Sequence, residues 1–137
     1  RKVLLSTPKF LFFDLGVRHA AAGLTATPDV VKVNPGGFFE QWVGLELWKR
    51  LQYLGEGKLY HLRTKDGAEV DFIIDRGGTL TPIEVKWTEN PTVQDARKLL
   101  TFLGEHPKQA KQGYIVCRCP RPAQLHEKIT ALPWFCL

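Results

Sequence analysis

The stretch from Ala68 to Trp87 constrains the fold more than any other part of the sequence. Two segments of alternating character, Ala68–Asp75 and Thr79–Trp87, meet at Arg76-Gly77-Gly78-Thr79. Adjacent glycines accept the positive φ angles of a two-residue hairpin turn, so the pair predicts an antiparallel hairpin with a fixed register. Counting back from Gly77-Gly78, Asp71 is opposite Glu84 and Glu69 is opposite Lys86. The Asp71/Glu84 pair falls at a non-hydrogen-bonded position, where Cα atoms approach to about 4.5 Å. Two carboxylates directly opposite each other repel. A divalent cation reverses that sign, since Mg²⁺ is commonly held by one or two carboxylates together with water and phosphate.

Alternation divides the hairpin into faces. Val70, Phe72, Ile74, Ile83, Val85 and Trp87 are expected on one, and Glu69, Asp71, Glu84 and Lys86 on the other. A lysine beside an acidic pair can orient a nucleophilic water and stabilise charge developing on a phosphate. The competing reading is an ordinary amphipathic hairpin that shows its polar face to water, with Glu69–Lys86 as a surface salt bridge. A bulge at the two glycines would break the register.

The rest of the chain supplies the frame. The strongest helix pattern runs from Phe38 to about Leu54, with Gly55 as its stop and Asn34-Pro35 as its entry signal. Its apolar residues cover much of its circumference, as in a largely buried helix. Glu40 interrupts the line Glu40, Gly44, Leu47, Leu51. Gly44 allows close approach of the backbone to the sheet, and the buried Glu40 needs a partner on the charged sheet face. Lys9–Phe13 reads as a short strand, Asp14 as the cap of a short helix ending near Gly23, and Thr25–Gly37 as a loop. Lys58–Thr64 reads as a strand, Lys65–Gly67 as a turn, Asn90–Gly104 as a second helix and Gly113–Arg118 as a fourth strand, followed by a Pro-rich turn and a short C-terminal segment. The third and fourth strands flank a crossover helix and are expected to be parallel. The fold class is therefore α/β or α+β: a mixed four-stranded sheet flanked by helices.

Composition excludes several classes. The 137 residues suit one domain, and 44% hydrophobic with 24% charged residues is globular. No apolar run approaches the roughly 18 residues of a membrane span, and Arg1-Lys2 precedes too short an apolar stretch for a signal peptide. The net charge of +5 permits an anionic partner without demanding one. Three cysteines argue against a disulfide framework and for a reducing compartment, the cytoplasm. The absence of Met and the start at Arg1 are expected of a piece of a longer protein.

Other residues read as structural. Cys117-x-Cys119 with His126 lacks the second ligand pair of a zinc site. His19, His61 and His106 are expected at the surface or satisfied, and Trp42, Trp48, Trp87 and Trp134 in the core or an interface. Arg97, Lys98, Lys108 and Lys111 could track a phosphate backbone, but a solvated face is the simpler reading.

Gly67-Ala68-Glu69-Val70-Asp71-Phe72-Ile73-Ile74 followed by Pro82-Ile83-Glu84-Val85-Lys86 resembles the D…(D/E)xK signature of restriction-endonuclease-like nucleases, with Val70 rather than Pro before Asp71. With Phe12–Arg18, Asn34–Glu40 and Tyr60–Gly67, the chain from about Lys9 to Trp134 resembles the C-terminal domain of unknown function number 4143 of prokaryotic AAA-type ATPases. The resemblance implies a PD-(D/E)xK nuclease-like domain over 34–137. Residues 1–33 would then be a strand/helix segment leading to an upstream ATPase domain, through which the protein could form oligomers. It further implies Asp71, Glu84 and the Val85 carbonyl as ligands of Mg²⁺ or Mn²⁺, Lys86 as catalytic lysine, and Glu40 as an additional catalytic acid. DNA phosphodiester hydrolysis is the implied reaction. A non-catalytic DNA- or protein-binding module of the ATPase is the alternative. The ATPase motif itself is absent: Gly55-Glu56-Gly57-Lys58 is not a P-loop.

Overall fold

The structure, a computed structural model, describes residues 9–25, 27–64 and 69–137. The expected turn at Lys65–Gly67 lies outside the described residues. The elements follow the order α1 (Leu15–Ala21), α2 (Pro28–Val33), α3 (Pro35–Leu54), β1 (Lys58–Arg63), β2 (Glu69–Arg76), β3 (Thr79–Val85), α4 (Arg97–Glu105), β4 (Gly113–Cys117), β5 (Ala123–His126) and β6 (Ile129–Pro133). The architecture is α+β, with one mixed sheet ordered β1-β2-β3-β4-β6-β5.

The sheet has six strands among the described residues where the sequence reading has four. The short C-terminal segment folds back as β5 and β6. Strand β6 runs parallel to β4, and β5 antiparallel to β6. The turn between them is Glu127-Lys128, which carries no glycine or proline signal. The β3–β4 pairing is parallel as expected, because the crossover through α4 returns the chain in the same direction.

Two helices cover the sheet from opposite faces. On the α3 face, Phe39, Val43 and Leu47 pack with Phe72, Ile83, Val85 and Val116. On the α4 face, Leu99, Phe102 and Leu103 pack with Val70, Ile73, Ile115 and Ile129. The α3 packing is tight at Gly44, where a Cβ would lie 2.5 Å from Cζ of the buried Phe72. That approach draws Glu40, one turn earlier, toward the sheet.

The N-terminal region departs from expectation twice. Residues 9–13 form no strand. They lack a neighbouring strand, and Gln41 of α3 takes that role: its Nε2 donates to the Phe10 carbonyl at 2.8 Å and its Oε1 accepts from the Phe12 N–H at 3.4 Å. The expected loop 25–37 contains α2, started by Pro28, whose φ suits the first helical turn. Asp14 caps α1 as expected, its Oδ1 accepting from the Val17 N–H at 2.9 Å. Asn34 caps α3 in the same way through the Gly37 N–H, at 3.0 Å.

Candidate functional site

The hairpin register is the expected one over its turn half. Arg76 pairs with Thr79, Ile73 with Pro82 and Phe72 with Ile83. Gly77 and Gly78 both have positive φ, 60° and 89°. The ladder then stops at Phe72/Ile83, one position before the acids.

A bulge explains the stop. Between Tyr60 and Leu62 of β1 the pairing advances from Ile73 to Val70 on β2, so two steps on one strand oppose three on the other. The extra residue bends β2 and reverses the side-chain alternation beyond it. Val70 therefore joins Ile73 on the α4 face, which corrects its expected place beside Phe72. Asp71 sits in the fork where β2 leaves β3. In an uninterrupted ladder the Val85 N–H would meet the Val70 carbonyl; here it donates to Asp71 Oδ2 at 2.8 Å.

The acids are not a solvated face. Asp71 is buried, and the Glu84 side chain is 1% exposed. Glu84 Oε1 accepts from Lys86 Nζ at 2.8 Å, whereas Glu84 Oε2 is buried with no hydrogen-bond partner. An unmatched carboxylate oxygen at such depth is costly. Burial pushes the Asp71 carboxyl up to about 6, helped by the charges of Glu84 and Glu40 and opposed by the Val85 N–H and by Lys9. For Lys86, burial acts to lower the pKa, but the hydrogen bond and charge of Glu84 prevail and raise it. Lys86 is therefore a fixed cation.

Each site residue named from the sequence has a definite place. Asp71 and Glu84 come together in the fork with Lys86 beside Glu84. Val85 supplies its N–H to Asp71 and packs its side chain on the α3 face. Glu40 lies near enough for its charge to act on Asp71, but its carboxylate is ion-paired with Lys9. The expected Glu69–Lys86 pairing is replaced: Glu69 is opposite Arg63 on β1 and lies 3.7 Å from Lys98. Among the described residues, no three His, Cys, Asp or Glu side chains gather closely enough to hold a metal.

Two lysines lie beside the acids where the sequence reading did not place them. Lys9 precedes α1, and its Nζ donates to the Asp71 carbonyl at 3.1 Å, pairs with Glu40 and stands 4.4 Å from the centroid of the Phe72 ring. Lys98, on the expected solvated face of α4, reaches back to lie 3.7 Å from both Glu69 and Glu84. A lysine within one turn of a helix entry was the available signal for Lys98; for Lys9 there was none.

The remaining candidates stay outside the site. Cys117 and Cys119 are buried in the α4-side core, and burial pushes the Cys117 thiol up to about 11. His19 is buried and stacks on Phe38 at 4.7 Å. Trp48, Trp87 and Trp134 are exposed rather than core, and Trp42 is half-buried. No described helix is long and apolar enough to cross a membrane.

Residues 35–137 match the family described as Domain of unknown function (DUF4143). No curated protein and no solved structure matches the chain.

Proposed function

The chain belongs to the DUF4143 family, and we propose that it is a PD-(D/E)xK nuclease-like domain that hydrolyses DNA phosphodiesters with Mg²⁺ or Mn²⁺. The observation that carries the reading is the fork itself. It holds two buried carboxylates from adjoining strands, one with an oxygen that has no partner, and a lysine bonded to the other oxygen of the same group. The donor set suits a hard cation. Two carboxylates are few for a closed protein cage but enough for Mg²⁺, which takes one or two carboxylates and completes its shell with water and substrate phosphate.

Asp71 and Glu84 would hold the ion, with the Val85 carbonyl as a third oxygen. When bound, the metal supplies Lewis-acid polarisation of a phosphate oxygen and makes water acidic enough to attack near neutral pH. The chain's own groups do the rest. The Val85 N–H orients Asp71. Lys86 Nζ, charged and aimed by Glu84, donates to the attacking water or to a non-bridging phosphate oxygen as charge grows there. Glu40 adds negative charge on the α3 side and keeps Lys9 in place. In this reading the domain serves an upstream AAA-type ATPase part of the same polypeptide in the cytoplasm, and that part mediates any oligomer.

A second reading has its own support. Lys9, Lys86 and Lys98 already neutralise Glu40, Glu84 and Glu69, as expected of a non-catalytic DNA- or protein-binding module. Calorimetric titration of Mn²⁺ separates the two. Under the first reading the wild-type chain binds Mn²⁺ and both Asp71→Asn and Glu84→Gln lose at least a hundredfold in affinity. A folded wild-type chain that takes up no Mn²⁺, with or without a DNA oligonucleotide present, rejects the nuclease reading in favour of the module.

A further inference from the structure

Beside the fork, on the α4 face, lies a chamber of about 160 Å³. Buried Val70 and Phe102 with half-buried Leu62 form its apolar floor, and the more exposed Glu69, Arg97, Lys98 and Thr101 complete its lining. Three observations link it to the acids. Glu69 and Lys98 line the chamber and also border the fork, since Lys98 lies between Glu69 and Glu84. At 3.7 Å from each carboxylate, Lys98 is bound tightly to neither, so its ammonium can turn to an incoming anion at little cost. Val70 reaches the floor only because the bulge that splays the fork also moves Val70 to this face. One backbone irregularity thus makes the acid site and the hollow next to it.

Size and chemistry select the occupant. An apolar cavity of about 150 Å³ accepts benzene, so this chamber is dimensioned for a single aromatic ring. Its lining offers both donors and acceptors, and Lys98, 3.7 Å from Glu84, joins it to the acids. We infer that the chamber receives one unpaired pyrimidine base of a single strand, whose backbone passes over Lys98 and Arg97 and delivers the adjoining phosphate to Asp71 and Glu84. The inference deepens the nuclease reading and rests on it for the destination of the phosphate. It sets the substrate class as single-stranded or frayed DNA, because a paired base cannot leave its stack without the cost of unpairing.

The test is binding rather than cleavage. Labelled oligo-dT and oligo-dA of roughly twelve nucleotides, within the usual span of a single-strand site, are titrated by fluorescence anisotropy with Ca²⁺ in place of Mg²⁺. Wild type is expected to prefer oligo-dT. Thr101→Trp puts an indole into the exposed side of the chamber lining and should lower oligo-dT affinity roughly tenfold, the worth of one stacked base, while Mn²⁺ affinity stays unchanged. Leu62→Ala widens the floor and should narrow the dT/dA gap by admitting a purine; it decides the matter if the tryptophan variant fails to fold. Equal oligo-dT binding by wild type and a folded Thr101→Trp, or no dT/dA difference in wild type, overturns the chamber. The Mn²⁺ titration keeps the two proposals apart. A chain that binds metal without a Thr101→Trp effect retains the fork and loses the chamber. A chain that shows the Thr101→Trp effect without binding metal loses the fork and retains the chamber as a base-binding site.

Discussion

The β2–β3 hairpin has two halves that solve the same problem differently. From Phe72/Ile83 to the turn, the backbone groups satisfy one another and the side chains are free to pack, as Phe72 and Ile83 do against α3. From Asp71/Glu84 outward, the strands part and side chains must take over: an aspartate oxygen accepts the Val85 N–H. The paired half resembles any hairpin core. The open half leaves backbone donors and acceptors that only specific side chains can match, and it buries two carboxylates to do so. The difference teaches that the site comes from interrupting a ladder, not from decorating a regular one.

The sharpest probe of the contrast is Asp71→Asn. Asp71 is raised to about 6 from a usual 3.8, so the native state holds this proton more tightly than the unfolded chain. The resulting stabilisation is complete below about pH 4 and is lost as pH rises through about 6. Metal-free wild type should therefore lose stability over that interval, whereas Asp71→Asn should stay flat and be more stable at pH 7 by roughly 2–3 kcal/mol. Urea unfolding at pH 4.5 and 7 reads both values. Equal pH dependence in the two chains would mean that the open half carries no strain.

The paired half should respond to volume instead of charge. Gly44→Ala brings a methyl group against the Phe72 ring, which is 1% exposed and has no space to retreat. A loss of about 2 kcal/mol in urea unfolding is expected, at any pH. Gly78→Ala, at φ 89° in the turn, should cost about 1 kcal/mol and leave Mn²⁺ affinity unaltered. A change in affinity would show that the two halves are coupled. The smallest effect belongs to Lys98→Ala, which removes a partly exposed ammonium from two loose ion pairs. Stability should move by less than about 0.5 kcal/mol, and a larger loss would make Lys98 a structural clamp.

What the sequence disclosed follows from what is local. Two glycines in a row fix the turn, and the turn fixes every partner as far as Phe72/Ile83. Asn34-Pro35 and Gly55 bracket α3 within a few residues. Asp71, Glu84 and Lys86 were legible because all three sit on this one hairpin. The bulge was not, since it lies in the pairing of β2 with β1, between Tyr60 and Leu62, where the Lys65–Gly67 turn signal does not fix the register. Val70 was misassigned for that reason, and so was Glu69. Strands β5 and β6 were missed because they are short and their turn, Glu127-Lys128, carries charges instead of glycine. Lys9 and Lys98 reach the acids through long side chains from separate elements, and such contacts leave no periodic trace in a sequence.

The Lys9 contact bears on how the chain can be shortened. The matched region begins at Pro35, and a boundary near residue 34 looks natural from the sequence. Yet the ammonium that touches Glu40 and the Asp71 carbonyl comes from upstream of that boundary, and Leu11 lies against the position of Gly44. A truncation at residue 34 would keep Glu40, Glu69, Asp71 and Glu84 and remove one of the cations that balance them. The shortened chain would be a more acidic site on a less supported helix, so assays on it would report on an altered electrostatic environment. Any preparation meant to represent the intact site has to begin before Lys9.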